Sequence, residues 1–196
     1  MAAAARFTSE CGGVPALAEF PGPSIREVSA SKLGRSEAAD ILALCSEAYQ
    51  EDFAGYLGML ADPVHVLARL DGGLVSHACW VTRWLQPGDG SLLRTAYVEA
   101  VATSPAHQGR GFATEVLRFL ANAVADFDIA ALSPSDPGFY ARIGWEPWRG
   151  PLHVREANAA VPAEADEMCM IMRLPRTPAL DFDGPLSIEW RLGEVW

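Results

Sequence analysis

Basic residues are scarce in this chain: 15 Lys plus Arg stand against 25 Asp plus Glu, a formal net charge of -10 over 196 residues. That balance argues against phosphate-driven nucleic-acid binding and against attachment to an anionic membrane, since both need Lys and Arg to neutralise negative charge. It leans instead toward a cationic ligand. Long apolar runs are also missing. Asp62-Pro63 and Asp71-Gly72-Gly73 are among the interruptions that keep every stretch short of the roughly 18 apolar residues a membrane span needs. The first twenty residues are Ala-rich, but Glu10 and Glu19 and the lack of a continuous apolar core make them a poor secretory signal. Cysteine is sparse: Cys11, Cys45, Cys79 and Cys169 lie far apart, form no CxxC pair and, with the four histidines, show no metal-ligand spacing. Free thiols, no metal and a soluble cytoplasmic protein are the expectation. Charged residues make up only 20% and hydrophobic ones 50%, which excludes the composition of a disordered chain. The length suits roughly one domain that buries about 70% of its unfolded surface.

What is present reads as mixed α and β. The segment 1–23, rich in Ala, Gly and Pro and ending in Pro21-Gly22-Pro23, reads as an extension, with one domain over 24–196. Ser24 to Ser29 alternates as a half-buried strand does, and Ile41, Leu42, Leu44, Cys45 and Ala48 recur at helical spacing. A short helix is expected over Phe53 to Leu60, ended by Pro63 through its effect on Asp62. Val64 to Leu70, Leu74 to Leu85 and Leu92 to Thr103 then form an antiparallel meander, joined by Asp71-Gly72-Gly73 and Pro87-Gly88-Asp89-Gly90. An amphipathic helix carries Val116, Leu117, Leu120, Ala121 and Val124; a buried strand covers Ile129 to Leu132 and a short helix Pro137 to Ile143, closed by Gly144. Two β-like runs, Met168 to Leu174 and Leu186 to Trp190, follow. Strands grouped early with βαβ-like alternation after them predict a single α+β domain on a mixed sheet.

The chemistry is concentrated where the third run of the meander meets the amphipathic helix: Tyr97-Val98-Glu99-Ala100-Val101-Ala102-Thr103, a short loop, then Gln108-Gly109-Arg110-Gly111-Phe112-Ala113-Thr114. Glycines at a helix start let a ligand approach the backbone, and the first helical N–H groups point outward unpaired with partial positive charge behind them. That suits a pyrophosphate, with Arg110 able to add a cation. The G-K-[ST] of a P-loop is absent and the G-x-G-x-x-G spacing fails, so neither nucleotide hydrolysis nor hydride transfer is supported.

Gln108-Gly109-Arg110-Gly111-Phe112-Ala113 has the Q/R-x-x-G-x-G/A form by which the GNAT superfamily of acetyl-CoA-dependent N-acetyltransferases holds the cofactor pyrophosphate. Pro137-Gly138-Phe139-Tyr140-Ala141-Arg142-Ile143-Gly144-Trp145 resembles that superfamily's Tyr-bearing helix and the Gly-aromatic step after it. Within the superfamily, Tyr97-Val98-Glu99, Gly144-Trp145-Glu146-Pro147-Trp148 and the ending Glu189-Trp190-Arg191-Leu192-Gly193-Glu194-Val195-Trp196 are similar to the aminoglycoside 2'-N-acetyltransferases. The chain departs from them in Ala100, where a glycine is expected beside the glutamate, and in its N-terminal extension. Both mark a divergent branch, and one such branch acts on kasugamycin. The resemblance implies a GNAT fold, a central twisted mixed sheet flanked by helices, with acetyl-CoA as cosubstrate and no metal. It also implies a cationic antibiotic as acceptor, antibiotic resistance as the consequence, and the homodimer common in the superfamily.

Attack of an amine on a thioester requires a base for the ammonium proton, donors for the oxyanion and an acid for the departing thiolate. The resemblance assigns Glu99 as base, directly or through water, and Tyr140 as acid. It makes the backbone N–H of Val101 or a neighbour the oxyanion donor. Val101, Thr103, Gln108, Gly109, Arg110, Gly111, Ala113 and Thr114 form the cofactor side. Glu99, Glu167, Glu194, Trp84 and Trp196, the last through its α-carboxylate, form the acceptor side; Trp148 is a further stacking candidate, and Phe53 and Tyr56 candidates for the groove wall. None of His65, His77, His107 and His153 has a partner in sequence, and none is expected as the base. The alternatives are an N-acetyltransferase for a polyamine, amino sugar or peptide amine, and a non-catalytic acyl-CoA-binding module.

Overall fold

The computed structural model describes residues 22–156 and 159–196, so the extension expected over 1–23 lies outside the described residues up to position 21. The chain opens with β1 (Ser24–Ser29), α1 (Arg35–Tyr49) and α2 (Ala54–Met59), followed by β2 (Val64–Leu70), β3 (Gly73–Pro87) and β4 (Leu93–Thr103). Then come α3 (Phe112–Ala123), β5 (Ile129–Leu132) and α4 (Pro137–Arg142). The remaining strands are β6 (Glu146–Pro147), β7 (Leu152–Arg155), β8 (Ala160–Pro162), β9 (Met170–Arg173) and β10 (Leu186–Glu189).

The ten strands of the described residues join one mixed sheet in the order β6-β9-β5-β4-β3-β10-β7-β8, with β1 and β2 branching from β3. The length of β3 makes this possible. Its first part, Gly73 to Trp80, pairs with β2, and its last part, Leu85 to Pro87, pairs with β10. One strand edge thus serves two partners in succession.

Alternation of side chains along β3 and β4 divides the core between the sheet faces. On one face Ala78, Trp80, Ala96 and Val98 pack with Phe112, Val116, Leu117 and Leu120 of α3, the apolar stripe legible in the sequence. On the other, Leu67, Cys79, Ala100 and Ala102 pack with Ile41, Leu44 and Cys45 of α1. A third cluster, with Leu85, Tyr97, Ile129, Ile188 and Trp196, fills the end where β10 joins. The strand after the Gly144-Trp145 step is β6, only two residues long, and the short strands β7 and β8 were not expected.

Two local features of β4 shape the ligand-binding region. Parallel pairing with β5 covers only Thr95 to Tyr97, so Val98 to Thr103 continue without a β5 partner and the strands part. In the same stretch His77 of β3 faces Ala102 while Cys79 faces Glu99, so β4 carries an extra residue opposite β3. Ala100 absorbs this bulge with φ of 51°, a left-handed conformation that a residue with a Cβ adopts at a cost.

Candidate active site

Two cavities open where β4 and β5 part, and they share Val101, Ser135 and Tyr140. The larger, 490 Å³, is lined by Val101, Thr103, Gln108, Gly109, Gly111 and Thr114, with Ala113 beside them. The loop folds this way for local reasons. Gly109 and Gly111 have φ of 73° and 88°, and Gly111 caps α3. The Gln108 amide donates to the Thr103 carbonyl at 3.3 Å, tying the loop to the end of β4. No atom stands within 4 Å of where a Cβ would project from either glycine, which leaves the backbone accessible to a ligand. An anionic pyrophosphate fits this combination of free helix-start N–H groups and open backbone. Arg110 does not line the cavity: its guanidinium lies over the Phe112 ring, 5.0 Å from the centroid, toward a separate cavity with Asp71 and Glu115.

The smaller cavity, 330 Å³, is lined by Glu51, Tyr56, Glu99, Tyr140, Glu194 and Trp196 among others. Glu99 is 6% exposed. Its Oε1 pairs with Arg191 at 2.8 Å, and its Oε2 accepts a hydrogen bond from the Tyr56 hydroxyl. Burial and the adjacent Glu99 carboxylate push the Tyr56 phenol well above its ordinary pKa. Phe53 stacks between Tyr49 and Tyr56, with centroids 4.5 and 4.7 Å away. The Tyr49 hydroxyl donates to the Val101 carbonyl at 3.0 Å. Among the expected acceptor residues, Glu99, Glu194 and Trp196 come together here, and Phe53 and Tyr56 form part of the same wall. Glu194 is exposed and Trp196 buried.

Tyr140 stands where the cavities meet. Asp136 starts its helix by accepting from the Phe139 N–H at 3.1 Å, with Pro137 in the first turn. Trp145 packs edge-on against the Tyr140 ring, 6.0 Å between centroids. Burial, with a smaller contribution from Asp136, raises the phenol pKa to about 12, so it carries its proton at neutral pH.

Like Arg110, three further expected positions lie elsewhere. Trp84 is 44% exposed and lines neither cavity, because it falls near the end of β3, beyond the helices. Trp148 packs on Phe182 in the third core cluster, and its indole N–H donates to the Gly184 carbonyl at 2.9 Å. Glu167 is half-buried outside the cavity wall, where burial, Asp166 and Glu194 raise its pKa.

The sequence did not reveal Arg83, Arg191, Tyr49 or Glu51. Arg83, buried, donates from Nε to the Glu189 carboxylate at 2.6 Å and from its terminal nitrogens to the Glu189 and Val195 carbonyls at 2.6 and 3.1 Å. It thereby fastens the 189–196 segment against β3. The histidines also require correction, since His65 and His77, unpaired in sequence, are bonded to each other across β2 and β3 at 3.0 Å. Cys45, Cys79 and Cys169 are buried free thiols whose pKa values burial raises, which leaves them unsuited to nucleophilic roles.

A strand pair that parts beside a glycine-rich helix start, with a buried tyrosine at the junction of two cavities, is the architecture of an acyl-CoA-dependent acyltransferase. Residues 29–148 match the family model described as an acetyltransferase (GNAT) domain. The chain is 33% identical over 183 residues to the aminoglycoside 2'-N-acetyltransferase of Mycolicibacterium fortuitum, covering 87% of this chain and 91% of that protein. Among solved structures, the GNAT family N-acetyltransferase YhbS of Escherichia coli in complex with CoA superposes with a TM-score of 0.61 at 17% identity, over 93% of this chain and 98% of that one. Eis1 of Mycobacterium abscessus gives 0.57 at 22% identity over 67% of this chain, which spans only 33% of that protein. The chain belongs to the GNAT family, and it is an acetyl-CoA-dependent N-acetyltransferase. Among the described residues, no helix is long and apolar enough to cross a membrane.

Proposed function

We propose that the protein transfers the acetyl group of acetyl-CoA to the 2'-amino group of an aminoglycoside-type antibiotic, with kasugamycin a specific candidate and resistance the consequence. The observation that carries this reading is the acidic cavity, where Glu51, Glu99 and Glu194 line a space that adjoins the glycine-rich one at Tyr140. A polycationic amino sugar is the acceptor such a wall selects, because each ammonium can meet a carboxylate while the ring lies against Tyr56 or Trp196. The 33% identity to an aminoglycoside 2'-N-acetyltransferase supports the same acceptor class.

In this reading the N–H groups of Gly109 to Thr114 hold the CoA pyrophosphate, and the backbone beyond the β4 bulge, at Val101, supplies the oxyanion donor. Glu99 takes the ammonium proton, directly or through water; each carboxylate oxygen has two lone pairs, so engagement by Arg191 and Tyr56 leaves capacity for a further donor. The freed amine forms the new C–N bond, the C–S bond breaks, the thiolate receives the Tyr140 proton, and the second proton shed by the acylated nitrogen restores the phenol, directly or through water. Arg191 balances the buried charge of Glu99 in the free enzyme, as a substrate ammonium would in the complex.

Mass spectrometry of kasugamycin, gentamicin and tobramycin after incubation with acetyl-CoA tests the proposal: one added acetyl group is expected on at least one of them, located by fragmentation to the 2'-amine. Thiol release with polyamines or peptide amines but with none of these three would overturn it.

A further inference from the structure

The buried histidine pair is the strongest cluster that the chemistry above leaves unused. His77 is fully buried and His65 nearly so, beneath α1 on the face of β2 and β3 that packs against the β4 bulge. His77 Nδ1 lies 2.8 Å from the Ala100 carbonyl oxygen, and His77 Nε2 lies 3.0 Å from His65 Nδ1. Cys45 Sγ is a weaker neighbour, 3.8 Å from His77 Nδ1.

Hydrogen-bond roles follow from elementary chemistry. A carbonyl oxygen only accepts, so His77 carries its proton on Nδ1. A neutral imidazole then has an unprotonated Nε2, which only accepts, so His65 donates from Nδ1. Burial keeps the His77 ring neutral, as this chain of bonds requires. The result is one directed series, from His65 Nδ1–H to His77 Nε2 and from His77 Nδ1–H to the Ala100 carbonyl. Its last acceptor belongs to the residue whose φ of 51° makes the bulge, between Glu99 and Val101. At a bulge the ladder leaves a residue without its regular partner, and a side-chain donor can meet the exposed carbonyl and fix the peptide plane.

We propose that His77, oriented by His65, is a positioning residue for acetyl transfer: its Nδ1–H holds the Ala100 carbonyl and thereby aims the Glu99 carboxylate and the Val101 N–H at the reaction centre. This rests on the roles given to Glu99 and Val101 above. Neither histidine lines either cavity where β4 and β5 part, so neither touches the acceptor or acetyl-CoA in this arrangement.

Three substitutions separate positioning from packing. In His77→Asn the amide nitrogen takes the place of Nδ1 and can still donate to Ala100; in His77→Gln the amide reaches the place of Nε2 and keeps the link to His65 while losing the one to Ala100. His77→Leu loses both. Asn is expected to keep kcat within about threefold of wild type, while Gln and Leu lose on the order of 100-fold in kcat with the Kd for acetyl-CoA unchanged, a loss typical of misplaced reacting groups. A packing role predicts the reverse order, since Gln is nearer to His in size; Gln tracking wild type while Asn falls with Leu, or equal losses in all three, would overturn the proposal.

A second arm needs no turnover and so stands apart from the choice of acceptor. In uniformly 15N,13C-labelled protein, His77 should show a protonated Nδ1 scalar-coupled to the Ala100 carbonyl, and the Val101 amide resonance should move in His77→Gln but not in His77→Asn. An unprotonated Nδ1 would overturn the proposal. So would one equivalent of zinc retained after incubation with the metal alone and gel filtration, because His65, His77 and Cys79 are close enough to ligate it and the two hydrogen bonds would then not exist.

Discussion

His77→Asn should also flatten the acid limb of the stability profile, through a proton rather than through the bulge. Full burial, reinforced by the neighbouring His65, lowers the His77 pKa from 6.5 to about 3. Hydrogen bonding to Ala100 acts in the opposite direction, and Cys45 and Cys79 are the other titratable side chains packed around the ring. Because the folded value lies below the unfolded one, the unfolded chain takes up the proton first as pH falls. Stability linked to this ring is therefore complete above about pH 6.5 and erodes toward pH 3, with a limiting slope of about 1.4 kcal/mol per pH unit. Across the whole interval that amounts to at most about 5 kcal/mol, and between pH 6.5 and 4.5 to about 2 kcal/mol. Urea unfolding of wild type and His77→Asn at pH 6.5, 5.5 and 4.5 measures it, since carboxylates common to both proteins cancel in the difference. The variant starts less stable, and its deficit should shrink by about 2 kcal/mol over those two pH units. A deficit that stays constant or widens would refute the assignment of a buried neutral imidazole.

Other expectations concern catalysis and backbone. Tyr140→Phe should lower kcat by about 100-fold without changing the Kd for acetyl-CoA measured calorimetrically, as loss of a general acid does; unchanged kcat would remove Tyr140 from the chemistry. Gly150→Ala should cost about 3 kcal/mol or more in thermal unfolding, because the added Cβ would stand 1.8 Å from the Gly184 carbonyl oxygen and neither backbone can yield cheaply. Ala100→Gly should stabilise the protein by no more than about 1 kcal/mol in urea melts: relief of the left-handed strain of about 1 to 2 kcal/mol is partly offset by the freer unfolded chain. A marked loss there would show that the Ala100 methyl, packed under α1, matters more than its φ.

The fold was legible wherever periodicity was long. The α-helices of the described residues and the meander follow from apolar spacing, turn residues and Pro63, and the Gln108 to Thr114 motif stands where the sequence implied, running from the loop after β4 into the first turn of α3. Short strands carried no such signal: β8 is Ala160 to Pro162, all exposed, and β7 mixes His153 and Arg155 with Leu152 and Val154 over four residues. At the site, the family resemblance pointed to Glu99 and Tyr140, whereas their partners depend on how distant segments meet. Arg191 reaches Glu99 from the far end of the chain, and Tyr56 reaches it from α2. Arg110 and Trp84 show the converse. Residue type suggested a phosphate cation and a sugar platform, but an aromatic ring beside one and the strand position of the other send them away from the cavities.

The grip of Arg83 on Glu189 and Val195 has a consequence for the life of the protein in the cell. Its partners lie more than a hundred residues further along the chain, so a product that stops short of Glu189 would leave a cation in the core with no counter-charge and β3 with an uncovered edge. Chains broken there should be destabilised and more readily cleared. A single buried guanidinium thus makes the integrity of β3 depend on the presence of the 189–196 segment.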